Sequence, residues 1–294
     1  MTLEQQIAQF LATGLTEGCV YALVALGFTI VFNSTGIVNF AQGEFVMLGA
    51  MLGVTFSGLG LPLVLVVLLS TVGAALIAVL LERLAIRPLR DAPILVLIFV
   101  TIAASLVFSG TAKVVWGPNA IPMDPFTGRT PIQVAGAAVR PQDLWIIGMS
   151  IAAVTLLQLF FKHTLTGRAM RAAASNRVAA RLVGINTSTM AMTGFGLSGA
   201  ISGLAGVVFA PNKFATYGMG TPLAVKGFCG AILGGLGNGI GAVVGGITLG
   251  VLENLAAGLI SSHYKDAITL IVMVLVLFIR PTGLLGKKDS GRGL

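Results

Sequence analysis

Charged side chains are scarce in this sequence. Only 10% of its 294 residues are Asp, Glu, Lys or Arg, whereas 56% are hydrophobic and the mean hydropathy is +0.97. A soluble domain uses roughly a quarter of its residues as charges to cover its surface. The composition therefore excludes a soluble globular protein and indicates an integral membrane protein.

Residues and motifs that carry chemistry are also rare. The sequence has two cysteines and two histidines, which stand apart at Cys19, Cys229, His163 and His263. This spacing excludes a zinc site and a disulfide framework. A GxxxxGK[ST] phosphate loop and a GxSxG nucleophile motif are absent. We therefore expect neither ATP hydrolysis by this chain alone nor enzymatic activity.

Long apolar segments dominate what remains. A bilayer core of ~30 Å needs about 20 apolar residues of helix, and nine segments approach this length. We predict an all-α polytopic fold with about eight to nine transmembrane helices, some short or broken. The second, seventh and eighth segments are short or glycine-rich, as in re-entrant helices. The predicted spans are 9–32, 43–59, 61–81, 93–112, 143–161, 189–210, 223–241, 242–260 and 266–280.

Basic residues concentrate between the spans. The net charge is +8, and 12 of the 18 basic residues fall in three connections. These lie at 82–91, at 162–188 and from Arg280 onward, where Lys287, Lys288 and Arg292 follow. Basic side chains between apolar segments indicate cytoplasmic loops rather than a nucleic-acid surface. We place all three connections in the cytoplasm, which puts the N-terminus outside if there are nine spans.

Four ionisable residues lie within or beside the spans, namely Glu17, Glu44, Lys226 and Glu253. Charges in a bilayer are unfavourable enough to need a reason. Glu44 and Lys226 lie near predicted helix ends, where snorkelling or capping would explain them. Glu253 is deeper, and two interpretations stay open: an ion pair with Lys226, or a role in a transport pathway.

Glycine is abundant, with 39 residues, and many recur at four-residue spacing. Such pairs allow close helix packing in lipid. The run at 230–246 is denser than packing requires and contains Asn238. It predicts a helix break at the cytoplasmic side, with a moving hinge as the alternative interpretation. The spaced pairs are Gly14/Gly18, Gly49/Gly53, Gly199/Gly203, Gly237/Gly241, Gly241/Gly245 and Gly246/Gly250.

The second cytoplasmic connection contains an alanine-rich stretch at 168–183 that predicts a short helix outside the membrane. Gly184 and Asn186 then supply a stop. Its small residues favour docking into a groove of another protein over insertion into lipid. The alternative is a basic loop that only sets topology. The residues of interest are Arg168, Arg171, Ala173, Arg177, Arg181 and Gly184.

Three polar residues follow the first span, at Asn39, Gln42 and Glu44. They come after a turn that we place on the cytoplasmic side. Unwound backbone next to glycine can line a water-filled cavity, so we expect these residues to act in gating. N-capping of the second span is the competing explanation.

Five motifs in this order resemble those of one family. They are GCVYALVALGFTIVFNSTGIVNFAQGEF (18–45), LTGRAMRAAASNRVAARLVGIN (165–186), SGAISGLAGVVFAP (198–211), AILGGLGNGIGAVVGGITLGVLEN (231–254) and RPTGLLG (280–286). Together they are similar to the LivH-type permeases of branched-chain amino acid ATP-binding cassette (ABC) importers. The resemblance covers most of the chain.

The resemblance implies a single permease domain over residues 1–294, with an ATPase-coupling helix at about 165–186. It implies an importer in a bacterial inner membrane with a LivM-type second permease, two cytoplasmic ATPase subunits and an extracytoplasmic solute-binding protein. ATP and Mg²⁺ would be used by the ATPases, and no cofactor is expected on this chain. Branched-chain amino acids are the expected substrates, with urea, amides and aromatic acids as alternatives within the family.

Two other classes of function compete with this interpretation. A stand-alone secondary carrier should show repeated halves with paired helix breaks, and a channel should show a filter loop. An intramembrane enzyme should show a paired nucleophile and base or metal ligands at helical spacing. Since the sequence shows none of these patterns by inspection, the importer subunit is the leading hypothesis.

Overall fold

The computed structural model describes residues 2–134, 136–259, 261, 265–280 and 282–286, and it confirms the all-α prediction. Three basic residues of the tail, Lys287, Lys288 and Arg292, and also His263, lie outside this part. The helices are α1 (Leu3–Thr35), α2 (Gln42–Gly58), α3 (Leu63–Leu81), α4 (Ile94–Trp116), α5 (Pro141–His163), α6 (Leu165–Ser175), α7 (Arg177–Leu182), α8 (Thr187–Lys213), α9 (Gly220–Gly234), α10 (Gly239–Leu259) and α11 (Lys265–Ile279).

Six helices in the described part are long and apolar enough to cross a membrane: α1, α3 with its continuation to Leu89, α4, α5, α8 and α10. Helices α2, α9 and α11 have 17, 15 and 15 residues. Each of the nine predicted spans corresponds to one helix. The eighth segment is not short, because α10 has 21 residues. The second and seventh segments are short as predicted, and the ninth is short as well.

Helix α1 forms the centre of the fold. It begins with a capping box in which the Gln5 amide donates to Thr2 Oγ1 at 3.4 Å. It ends at Gly36, whose left-handed φ of 76° stops the helix. Every residue from Thr16 to Val31 is buried, because α8, α9 and α10 all pack on it. On the opposite side from Gly36, Gln9 hydrogen-bonds the backbone of a short hairpin, β1 (Ile132–Val134) and β2 (Ala137–Val139).

Glycines bring α1 and α10 into backbone contact. A Cβ on Gly14 would lie 2.8 Å from Cα of Val251, and one on Gly18 would lie 2.9 Å from Cα of Ile247. Both distances are too short for real atoms, so the helices approach this closely only because these positions lack side chains. The packing interpretation of the glycine pairs is therefore confirmed for Gly14 and Gly18.

We expect Gly18→Val to force α1 away from α10. Overpacking of this kind destabilises a fold by about 1–3 kcal/mol. The measurement is the midpoint of thermal unfolding in detergent, together with the yield of inserted protein. Gly148→Val is the matched control, because Gly148 is also inside a helix but has open space around its Cα. Equal loss of stability in both variants would contradict the packing argument.

Helix α2 begins deep in the fold, which differs from the predicted turn at the cytoplasmic side. Its first residue, Gln42, lies against Gly27, which is eight residues before the end of α1. A helix rises 1.5 Å per residue, so these eight residues of α1 span about 12 Å. The chain between Gly36 and Ala41 therefore returns by about that distance into the fold. We call residues 36–41 the return segment. Because it lies at membrane depth, its backbone groups need partners within the protein.

The glycine-rich run contains the predicted helix break. Helix α9 ends at Gly234, earlier than the predicted boundary of 241, because Gly235 and Gly237 take left-handed φ angles of 102° and 96°. The Asn238 side chain then accepts the Ile240 backbone amide at 3.1 Å and starts α10. The break is thus a sharp turn between two closely packed helices.

Candidate functional site

The predicted cytoplasmic helix is divided in two. Helices α6 and α7 are separated at Asn176, whose extended backbone (φ −152°) interrupts the helix. The Asn176 side chain accepts the Ala179 amide at 3.0 Å and so caps α7. The prediction of one continuous helix over 168–183 is therefore wrong. Gly184 follows the end of α7 with a left-handed φ of 86°, so the predicted stop at this residue is confirmed.

The two short helices have distinct inner and outer faces. Ala173, at 2% exposure, and Ala180 are buried against the rest of the chain. The side chains turned outward include an apolar group that we call the apolar patch. On α7, Val178 is 70% and Leu182 is 83% exposed. The patch consists of Leu165, Val178, Leu182 and Val183.

The four arginines of this region are exposed, and two of them make contacts within the chain. The Arg177 guanidinium lies beside Gly36, where a Cβ would be 3.5 Å from Nη2. The Arg181 Nε donates to Thr187 Oγ1 at 3.0 Å. Arg177 therefore lies next to the first residue of the return segment. Arg168 and Arg171 extend from α6.

Asn39 and Gln42 organise the buried start of α2. Asn39 Oδ1 accepts the backbone amide of Ala41 at 3.1 Å, which fixes the turn just before α2, but no described side chain caps the helix itself, so the capping explanation is wrong. The Gln42 amide bridges to α8, since its Nε2 donates to Ser202 Oγ at 2.6 Å and its Oε1 lies 2.7 Å from Ser198 Oγ. Both side chains are fully buried.

Glu44 is also buried, at 1% exposure, so it neither snorkels nor reaches the membrane surface. Its Oε1 accepts a hydrogen bond from Ser105 of α4 at 2.9 Å and one from Thr221 of α9 at 3.2 Å. Its Oε2 has no hydrogen-bond partner in the described part of the chain. Gly220 leaves room for this carboxylate, because a Cβ there would collide with it.

Lys226 and Glu253 form the predicted ion pair. Lys226 Nζ lies 2.6 Å from Glu253 Oε1, and Glu253 is completely buried. Lys226 also lies 3.0 Å from Asp266 at the start of α11. A fourth residue, Lys265, is 3.7 Å from Glu253. The snorkelling explanation for Lys226 is therefore wrong, since its charge is neutralised inside the fold.

Glu17 extends the same charge network along α1. Its carboxylate lies 2.6 Å from Lys265 Nζ and 3.0 Å from Lys213 Nζ. The side chains of Asn254 and Tyr21 also donate to it, at 3.1 and 3.4 Å. We call Glu17, Lys213, Lys226, Glu253, Lys265 and Asp266 the ion network. It links α1, α8, α9, α10 and α11 and is formally neutral.

Asn238 has a role away from Glu44 and from the ion network. Besides capping α10, its Nδ2 donates to the carbonyl of Leu285 at 2.8 Å. The amide of Leu284 donates to the Leu233 carbonyl at 2.8 Å. Residues 282–286 therefore close over the glycine-rich turn. Asn33 of α1 donates to the Gly237 carbonyl at 2.9 Å on the same side.

Residues 10–277 match the sequence model of a family described as "Branched-chain amino acid transport system / permease component". The chain belongs to this family. The match covers more than half of the chain and includes the return segment, the α6–α7 region and the glycine-rich turn. The protein is accordingly a permease, a component of a transport system, and not an enzyme.

Several curated relatives align with this permease over nearly their whole length. The permease is 31% identical to the high-affinity branched-chain amino acid transport system permease protein LivH of Escherichia coli K12, with 98% of this chain and 99% of LivH covered. The corresponding LivH protein of Salmonella typhimurium is 30% identical with the same coverage. The protein BraD of Pseudomonas aeruginosa is 31% identical, and 96% of each chain is covered.

A solved structure supports the fold. PsaBC from Streptococcus pneumoniae, in complex with Fab, aligns with a TM-score of 0.51 at 16% identity. The alignment covers 93% of this permease and 92% of that chain. At this identity the likeness concerns the arrangement of helices alone.

Sequence reasoning found the acids of the site and missed their partners. Ser105, Thr221, Lys213, Lys265 and Asp266 were not identified as partners of Glu44, Glu17 or Lys226. The sequence contains few clues to these partners. Polar residues inside apolar spans usually face other helices, but the sequence does not tell which helices meet. The pair Ser198 and Ser202, four residues apart on one face of α8, was the clearest missed sign of a buried polar contact.

Proposed function

We propose that this permease is the LivH-type subunit of an ATP-driven importer and forms part of the pathway for leucine, isoleucine and valine. The observation that carries the proposal is the near full-length similarity to relatives named branched-chain amino acid permeases. The deep return segment and the buried polar residues around Gln42 and Glu44 support it. Non-helical backbone at membrane depth occurs where it is enclosed by protein or lines a cavity.

Four partners are part of the proposal. A LivM-type second permease would complete the pathway, an extracytoplasmic binding protein would deliver the amino acid, and two ATPase subunits would dock at α6 and α7. The apolar patch supports the last contact, because four large apolar side chains on the surface of one region favour a protein interface. The ATPases would hold ATP and Mg²⁺. We expect no cofactor on this chain.

The proximity of Arg177 to Gly36 supports a mechanical role for α6 and α7. A permease can respond to ATP only through an element that is docked on the ATPase and also touches the pathway. Displacement of α7 would reach the return segment at this position and, six residues after its start, Gln42 of α2. The residues that we assign to coupling are Arg168, Arg171, Ala173, Arg177, Arg181 and Gly184. Ala173 would act by seating α6 on its own chain, since it is buried.

The proposed orientation has the α6–α7 region and the C-terminus in the cytoplasm of a bacterium, with the protein in the inner membrane. The distribution of basic residues supports it. The structure adds that Gly36, Gly237 and residues 284–285 lie at the same end of the bundle as α7. Gln9 and the β1–β2 hairpin would then be extracytoplasmic.

Reconstitution of the whole transporter in liposomes tests the proposed function. We expect uptake of radiolabelled leucine to require ATP inside, the ATPase subunits, the second permease and the binding protein. Liposomes that lack one of these components at a time provide the controls. Uptake driven by a leucine gradient through the purified permease alone would instead establish a stand-alone carrier. Exchange of the binding protein should change the preferred substrate, with urea, amides and aromatic acids included in the screen.

A further inference from the structure

A cavity of about 260 Å³ opens between α4, α9, α11 and the return segment. Two of its lining residues, Ser105 and Thr221, carry hydroxyl groups. Its apolar walls include Phe40, Phe228, Leu270 and Met273. A cavity of about 150 Å³ holds benzene, with six carbon atoms. By proportion, this one has room for about ten non-hydrogen atoms, enough for leucine or isoleucine.

The hydroxyl groups of these two lining residues both donate to Glu44 Oε1. Glu44 therefore lies directly behind the polar side of the cavity. A hydroxyl oxygen can accept a hydrogen bond while it donates one. Ser105 and Thr221 can thus receive an N–H group from the cavity without releasing the carboxylate.

Glu44 differs from the other in-span acids in its charge balance. Glu17 and Glu253 each have lysine nitrogens 2.6 Å away. In the described part of the chain, no Lys, Arg or His nitrogen lies within 4 Å of the Glu44 carboxylate. The remaining buried glutamate, Glu82, is followed by Arg83 at the cytoplasmic connection. A buried carboxylate with a free oxygen and no cation fits a positively charged ligand.

We propose that this cavity is a transit site for the transported amino acid, with its α-ammonium group bound at Ser105 and Thr221 and stabilised by the charge of Glu44 behind them. The branched side chain would lie against Phe228, Leu270 and Met273. The inference rests on the proposed function and adds the residues that recognise the substrate inside the permease. Affinity is expected to be low, because the amino acid must leave the site again.

Glu44→Gln is the decisive variant. The substitution keeps the shape of the side chain and an acceptor oxygen for both hydroxyls, and only the negative charge is lost. We expect leucine uptake by the complete reconstituted transporter to fall at least about tenfold, because an ion-pair partner in a desolvated site is lost. Co-purification of all subunits with the variant serves as the assembly check. If Glu44 only fastens α2 to α4 and α9, uptake stays at the wild-type level, and that result overturns the inference.

Two further variants test the Ser105 hydroxyl group and the apolar wall of the cavity. Ser105→Ala should lower leucine uptake, whereas Ser109→Ala, one turn along α4, should not, because its Oγ donates to the Leu106 carbonyl instead. Val225→Phe at the rim narrows the cavity and should lower leucine uptake more than valine uptake. Equal effects in the serine pair, or an unchanged leucine-to-valine ratio, would contradict the assignment. Failure of the wild-type transporter to take up any branched-chain amino acid would refute the proposed function itself, whatever the variants do.

Discussion

Val178→Asp combined with Leu182→Asp should abolish leucine-stimulated ATPase activity and uptake while the permease stays folded and inserted. The two side chains are one turn apart on the outer face of α7 and are exposed, so the change removes no contact within the chain. Burial of each apolar side chain in a partner groove is worth about 1.5–3 kcal/mol. Charged replacements forfeit this gain and must also be desolvated. Co-purification of the ATPase subunits measures the loss directly.

Arg168→Gln compares the loss of one coupling charge with that double change. Arg168 is exposed on α6, and a charged pair at the rim of an interface contributes about 0.2–1 kcal/mol. We therefore expect at most about a fivefold weakening of ATPase binding, with transport retained. Full coupled transport by the double aspartate variant would show that α6 and α7 only set the topology of the chain.

Glu253→Ala should be the most destabilising single change in the membrane domain. Among the described residues it leaves Lys226, buried beside Tyr21, with only Asp266 as a counter-charge, and Asp266 is 83% exposed. Removal of one partner from a buried ion pair destabilises a fold by about 3–5 kcal/mol. The measurement is the thermal unfolding midpoint in detergent and the amount of inserted protein.

Lys226→Met combined with Glu253→Leu separates pairing from packing. Well-packed apolar residues can replace a buried ion pair without loss of stability, so the double variant should be more stable than Glu253→Ala. Asp266→Asn should change stability by less than about 1 kcal/mol, because its side chain is in solvent. A double variant as unstable as Glu253→Ala would show that Lys265 and the rest of the ion network depend on these charges.

Hydropathy was sufficient to find the helices. Apolar segments bounded by proline, charge or glycine gave one helix for each of nine predictions, because helices in a bilayer are apolar along most of their length. Three of them, α2, α9 and α11, are shorter than a full span. The predicted helix boundaries are wrong where the backbone conformation of one or two residues ends a helix. The end of α9 depends on two left-handed glycines, and several glycines in the run were equal candidates. The division of α6 from α7 depends on one extended residue, Asn176, inside an alanine-rich stretch with high helix propensity.

Only part of the site could be predicted from the sequence, because its contacts join residues that are far apart along the chain. Glu44 meets Ser105 and Thr221, which are 61 and 177 residues away. Single-sequence patterns report which face of a helix is apolar, but not which helices are neighbours. The Lys226–Glu253 pair was predictable because both residues lie in consecutive helices joined by a short turn. Glu17 and Lys265 are 248 residues apart, and no local pattern connects them.

The central position of α1 has a consequence for biogenesis. This helix is synthesised before α8, α9 and α10, the three helices that surround it. Contacts between distant parts of a chain form slowly, because loop closure must precede them. During translation the glycine face of α1 and the Glu17 carboxylate must therefore wait in the membrane without their partners. We expect nascent α1 to remain beside the insertion machinery until the last third of the chain has emerged, and crosslinking of stalled chains of increasing length would follow its release.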